Sequence, residues 1–169
     1  MKISFSGTHG TGKTTSVFEL AHKMKIEYPG KKIITFVDDI RNSPFGFNKG
    51  KPVESQLWMF ASRIKNELEL SSKFDIVICD RTVFDIIAYT KYFGFNYLAS
   101  DMFDLAINFA PTYDKIILKT IKNNDYLIEE GVDRDTKDHE YRQKVEDELR
   151  KIYHKLRLYS SSKFEYEEI

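Results

Sequence analysis

The chain is short of cysteine. Cys79 is the only one in 169 residues, so no disulfide can close within it, and that usage fits a reducing compartment. Net charge is missing as well. Lysine plus arginine number 26 and aspartate plus glutamate number 26, which removes the basic excess carried by proteins that grip duplex DNA through its phosphates. A local basic groove survives that exclusion. No apolar run approaches the roughly 20 residues needed to span a bilayer. The opening MKISFSG has no long apolar core of the signal-peptide kind. A cytoplasmic protein without membrane contact is the expectation. Repeats, low-complexity tracts and flexible linkers are also absent, so residues 1–169 read as one domain. With 41% hydrophobic and 31% charged residues, such a chain can bury an ordinary globular core.

What is present is an alternation of short apolar runs with helical patterns, the sign of a parallel sheet covered by helices. Ile3 to Ser6 reads as a first strand. Val17, Leu20, Ala21 and Met24 follow helical spacing, in a helix that Pro29-Gly30 ends. Ile33 to Val37 is a second strand, followed by a polar loop from Asp38 to Pro52. Leu57, Phe60, Ala61, Ile64 and Leu68 mark the inward face expected of a long helix. DIVIC, Asp75 to Cys79, is a third strand that ends at Asp80. Helices are expected at about 84–92 and 100–110, with Gly94 between them, and KIIL, Lys115 to Leu118, makes a fourth strand. Residues 123–138 form a charged loop. Tyr141, Val145, Leu149, Ile152 and Leu156 stripe a last long helix, and KFEYEEI closes as a short strand. Five strands with crossover helices make a three-layer α/β domain.

GTHGTGKTT lies between the first strand and the first helix. Gly7, Gly12, Lys13 and Thr14 fill every fixed position of G-x-x-x-x-G-K-[ST]. Glycines leave consecutive backbone N–H groups able to wrap phosphate oxygens, and the following helix adds its positive end. The nucleotide-contacting run is therefore Gly7, Thr8, His9, Gly10, Thr11, Gly12, Lys13, Thr14 and Thr15. Lys13 is expected at the β- and γ-phosphates and the Thr14 hydroxyl on Mg²⁺. His9 fills a variable position and lines the loop.

Strand carboxyl ends form the ligand crevice of open α/β sheets. Asp80, at the end of the third strand, is placed to hold Mg²⁺ opposite Thr14, the alternative being an acid that orders the adjoining loop. Arg81 follows it, and its planar fork suits an acceptor or a transferring phosphoryl group, or a salt bridge centred on Asp80. VDDIR after the second strand offers Asp38 and Asp39 as competing acceptor-side acids, and Arg41 as an anion binder. A lid is expected at about 123–142, with Arg134 and Arg142 supplying cations to the transferring group. His139 has no partner at metal-ligand spacing, so zinc is not suggested.

The stretches FSGTHGTGKTT, VDDIR, VICDRTVFDIIAY and EEGVDRD, in that order, resemble the small P-loop kinases of nucleosides and nucleotides. The likeness is to the group related to the ribosylnicotinamide kinase domain, labelled AAA-type ATP-binding proteins, and to deoxynucleoside and thymidylate kinases. It implies a P-loop kinase fold with a parallel sheet of order 2-3-1-4-5, and Mg²⁺-ATP as donor to a small hydroxyl- or phosphate-bearing acceptor. It also implies that Asp39 is the acceptor-side acid with Arg41 its neighbour, and that Asp80-Arg81-Thr82 is the acid–arginine pair with Asp85 its downstream acid. Glutamate is usual in that group where Asp39 stands here, which shortens the reach of the acid.

These residues predict ATP-dependent phosphoryl transfer to a nucleoside or nucleoside monophosphate. One alternative is a kinase acting on a hydroxyl of DNA or RNA, with Lys49, Lys51 and Arg63 tracking the backbone. Another is a nucleotide-dependent regulatory ATPase, for which Gln56 is not obviously placed to orient water. The aromatic stretch from Tyr89 to Phe109 suits either a homodimer interface or core packing.

Overall fold

The computed structural model describes residues 1–37, 43–45, 53–122, 139–159 and 164–169. Five strands, β1 (Lys2–Ser6), β2 (Ile33–Val37), β3 (Ile76–Asp80), β4 (Lys115–Leu118) and β5 (Glu165–Glu168), form one sheet of order β2-β3-β1-β4-β5. Every pairing is parallel, with Ile3 beside Ile78 and Lys115, and Phe5 beside Asp80 and Ile117. Helices α1 (Lys13–Glu27), α2 (Val53–Lys73), α3 (Val83–Tyr92), α4 (Asn96–Phe109) and α5 (His139–Tyr159) make the crossovers. The expected fold class and strand order are thus the observed ones.

Period-two alternation divides β1 between two environments. Ile3 and Phe5 join Ile76, Ile78 and Ile117 in a core closed by Val17, Leu20 and Met24 of α1. Lys2, Ser4 and Ser6 point to the other layer, where α2, α3, α4 and α5 enclose a larger core around Phe84, Phe103, Ile116, Leu118 and Leu149. Within the aromatic stretch Phe103 and Phe109 are buried there and Tyr89 packs against that core, while Tyr92 and Tyr97 remain exposed.

The last helix buries Val145, Leu149, Ile152 and Leu156, as its stripe predicts. The inward face of α2 requires a correction. Leu57 and Leu68, expected inside, are 47% and 50% exposed, and the buried positions are Ser55, Gln56, Phe60, Arg63 and Glu67. The helix is rotated because the sheet surface beneath it is polar: Lys2 of β1 sits under Glu67, and main-chain carbonyls at the end of β3 meet Arg63. Two smaller boundaries also differ. Helix α4 begins at Asn96 rather than near Ser100, directly after Gly94 turns the chain at φ 90°. Helix α5 begins at His139, so Arg142 belongs to its first turns and not to a loop. Residues 123–138 of the expected lid lie outside the described residues. Among the described residues, no helix is long and apolar enough to cross a membrane.

Candidate active site

Gly7 leaves β1 at φ 140°, and Gly10 and Gly12 follow at 76° and 73°. A side chain on Gly7 would place its Cβ 2.5 Å from the Lys119 carbonyl oxygen, so this first glycine is needed for close approach as well as for its dihedral. Gly12 is the N-cap of α1 in left-handed conformation, without a capping side chain, which leaves the first helical N–H groups facing the loop. Lys13 folds over the loop, its Nζ donating to the Thr8 carbonyl at 2.5 Å and to the Thr11 hydroxyl at 3.3 Å. Thr11 Oγ1 donates to the same Thr8 carbonyl at 3.0 Å. Thr14 and Thr15 are exposed in the first turn of α1.

The Thr14 hydroxyl donates to Asp80 Oδ2 across the gap between α1 and β3. Asp80 Oδ1 is buried and makes no hydrogen bond among the described residues. A hydroxyl and a carboxylate joined in this way, with one carboxylate oxygen spare, are the hard oxygen donors that suit Mg²⁺. Among the described residues there is no cluster of three or more His, Cys, Asp or Glu that would build an all-protein metal cage.

Arg81 has φ 77°, the one non-glycine positive φ among the described residues, a conformation that costs an L-residue about 1–2 kcal/mol. Its N–H donates to the Phe5 carbonyl at 2.7 Å, tying the turn to β1. Its guanidinium lies 3.9 Å from Asp85 and 5.2 Å from the Tyr89 ring, and Nη1 makes no hydrogen bond among the described residues. Burial alone would draw the proton affinity of Arg81 down, but Tyr89, Asp85 and Asp80 more than offset it, so this buried group is a permanent cation.

Asp85 sits at the third position of α3 and closes a capping box with Thr82. Its Oδ2 accepts from the Thr82 N–H at 2.7 Å and the Thr82 hydroxyl at 2.8 Å, while Oδ1 accepts from the Gly7 N–H at 2.9 Å. The carboxylate expected to meet substrate is instead occupied in joining the phosphate loop to the helix cap. Tyr153 of α5 adds a second tie, donating to Ser6 Oγ at 2.7 Å and standing 3.0 Å from the Thr82 hydroxyl.

His9 lines the loop as expected. It is buried, its N–H donates to the Tyr89 hydroxyl at 3.1 Å, and its ring lies 5.0 Å from that of Tyr141. Arg142 reaches the loop from α5, with Nε donating to the His9 carbonyl at 3.2 Å. The structure therefore brings together the loop, Asp80, Arg81, Asp85 and Arg142. Asp39, Arg41 and Arg134 lie outside the described residues, as do Asp38, Lys49 and Lys51. Arg63 needs a correction. It is 1% exposed and bonded to Glu67 and to main-chain carbonyls, so it does not line a nucleic-acid track. Gln56 is fully buried, its Oε1 accepting from Thr90 of α3 at 3.0 Å.

Tyr89, Tyr153 and Lys119 are contributors that motif reading does not assign. Lys119 follows β4 and donates from Nζ to Ser16 Oγ of α1 at 2.7 Å. Its position just past a strand at the crevice end of the sheet is the signal that could have found it.

Sheet order, glycine loop and the Thr14–Asp80 pair define the class: a P-loop nucleotide-binding domain with the fold of the nucleotide kinases. A family model described as an AAA domain matches residues 2–159, and the chain belongs to that family. Thymidylate kinase from Ehrlichia chaffeensis is similar in structure, with a TM-score of 0.68 at 24% identity over 100% of this chain and 91% of that one. Deoxyadenosine kinase from M. mycoides with bound dATP gives 0.64 at 17% identity, over 100% and 90%. The same kinase with the products dCMP and dCDP gives 0.61 at 18% identity, over the same shares. No curated protein matches the sequence significantly.

Proposed function

We propose that the protein transfers the terminal phosphoryl group of ATP to a nucleoside or a nucleoside monophosphate. The observation that carries this reading is the buried Arg81 cation beside Asp80 and the phosphate loop, more than donor binding alone requires. The acceptors handled by the similar thymidylate and deoxyadenosine kinases support the same substrate class.

In this reading Lys13 and the N–H groups of residues 10–14 hold the β- and γ-phosphates, while the N–H groups of Gly7 and His9 stay on Asp85 and Tyr89. Thr14 and Asp80 would hold Mg²⁺, which would supply positive charge to offset that of the phosphates. Lys13 exchanges its Thr8 and Thr11 contacts for phosphate oxygens. Arg81 stabilises charge on the transferring group from one side, and Arg142, at the start of α5, from the other. Asp39 or Asp38 binds the acceptor hydroxyl or takes its proton, Arg41 binds an anionic acceptor, and Arg134 closes with the lid. Asp85 acts through the loop it holds.

Incubation with ATP, Mg²⁺ and a panel of nucleosides and monophosphates, read by mass spectrometry, tests the proposal. One acceptor gaining a phosphoryl group supports it. ATP hydrolysis at the same rate with and without every acceptor would count against it and favour a regulatory ATPase.

A further inference from the structure

We propose that Arg63, backed by Glu67 and Lys2, is a positioning residue that sets the Asp80–Arg81 turn and thereby the Arg81 guanidinium. The catalytic half of this inference rests on the phosphoryl-transfer reading above, and the conformational half rests on geometry alone.

The turn is an awkward one. Strand β3 ends at Asp80, and the next residue enters the left-handed region at φ 77° with a bulky side chain. Glycine is the residue that adopts this conformation freely, and here it is an arginine. One restraint is the N–H of Arg81 on the Phe5 carbonyl. The other comes from α2. Arg63 Nη2 donates to the carbonyl of Asp80 at 2.9 Å and also to the carbonyl of Arg81, spanning both peptide units of the turn with one nitrogen. Its Nε donates to Glu67 Oε1 at 2.6 Å, one helical turn away, and its guanidinium carbon lies 4.5 Å over the Phe36 ring.

Behind Arg63 the network continues. Lys2 Nζ donates to Glu67 Oε2 at 2.8 Å and to the Thr112 hydroxyl at 2.7 Å, and the Tyr113 hydroxyl donates to Glu67 Oε1 at 3.1 Å. Lys2, Arg63 and Glu67 are 3%, 1% and 0% exposed. Lys2 and Arg63 thus share the Glu67 carboxylate, and Arg63 Nη2 bonds the carbonyls at 80 and 81. A buried charge cluster of this kind is poor value as packing, because a hydrophobic face would cover the sheet without desolvating three ions. What an apolar side chain cannot do is bond two adjacent carbonyls. A lysine cannot do it either while also pairing with Glu67, since it lacks the rigid fork.

The experiment compares the whole chain with Arg63→Lys and Arg63→Met, by amide hydrogen exchange and by steady-state kinetics. Exchange at the Arg81 and Thr82 amides should accelerate on the order of ten-fold or more in both variants, while the β4 amides at 116–118 keep their protection. With an acceptor in hand, kcat should fall by roughly 10²-fold, as displaced catalytic groups do, and KM for ATP should stay within about two-fold. Exchange that rises equally at β4, or an Arg81 amide as protected as in the parent, would overturn the proposal. So would an Arg63→Met chain that does not fold, because Arg63 would then be a requirement of the fold rather than of the turn. Local loosening in a protein that phosphorylates no acceptor would leave the turn assignment standing and remove the kinase reading.

Discussion

Helices α2 and α5 are each 21 residues long, and both contribute to the larger core, yet they meet it in opposite ways. Helix α5 presents Val145, Leu149, Ile152, Tyr153 and Leu156 to that core, and apart from the Tyr153 hydroxyl these five contribute contact and burial, its polar ties from Arg142 and Glu146 lying outside the stripe. Helix α2 presents Gln56, Arg63 and Glu67, and its contribution is hydrogen bonds to defined oxygens. The difference follows from what lies beneath. An apolar floor accepts any apolar stripe of suitable volume, whereas Lys2 and the open carbonyls at the end of β3 accept only partners of the right polarity at the right place.

The largest effect should come from removing the shared carboxylate. Glu67→Ala removes the buried carboxylate that Lys2 and Arg63 share and is expected to cost about 3–5 kcal/mol in a urea titration. A loss below about 1 kcal/mol would show that the polar face of α2 is not tightly built. Leu149→Ala on α5 should cost somewhat less, about 2–4 kcal/mol by the same titration, through lost burial and a residual cavity. That variant should keep its affinity for ATP under conditions where it remains folded. The third test separates site from scaffold. Arg81→Ala is expected to lower turnover by roughly 10²–10³-fold with little change in KM for ATP, and unchanged turnover would remove Arg81 from the chemistry.

The smallest effect concerns Cys79, in the same buried layer. Burial, and secondarily the Glu67 charge, pushes its thiol from 9.0 up to about 12. The folded chain keeps that proton where the unfolded chain releases it, so stability present below pH 9 is lost as pH rises from 9.0 toward about 12. Tyr113 and Tyr153, raised well above 10.0 by burial first, add losses of the same sign beyond that pH. Denaturation midpoints of Cys79→Ala at pH 7, 9 and 10 should fall less steeply than those of the parent, and parallel curves would refute the assignment.

The same contrast explains what was legible in the sequence. Strands β2 and β4 are found at their expected bounds because continuous apolar runs leave no competing pattern, and the loop from Gly7 to Thr14 is legible because backbone chemistry demands glycine at fixed spacing. The stripe of α5 is legible from periodicity alone. For α2 the apolar residues mark the buried face only in part, Phe60 lying inside while Leu57 and Leu68 do not, since periodicity assumes an apolar floor and cannot know that β1 turns Lys2 and Ser4 inward. Asp80 and Arg81 were readable as neighbours at a strand end. The tie from Asp85 to Gly7 was not, because the two lie 78 residues apart and only the fold unites them.

The close approach of Gly7 to the Lys119 carbonyl has a consequence for how sequence tolerance is interpreted. A side chain at position 7 collides with the main chain just past β4 before any nucleotide arrives. Intolerance of substitution there therefore reports on the folding of the empty protein as much as on phosphate recognition. Selection for a folded chain with no enzymatic duty at all would still preserve this part of the signature, and a descendant that had abandoned catalysis would go on looking like a kinase at its first glycine.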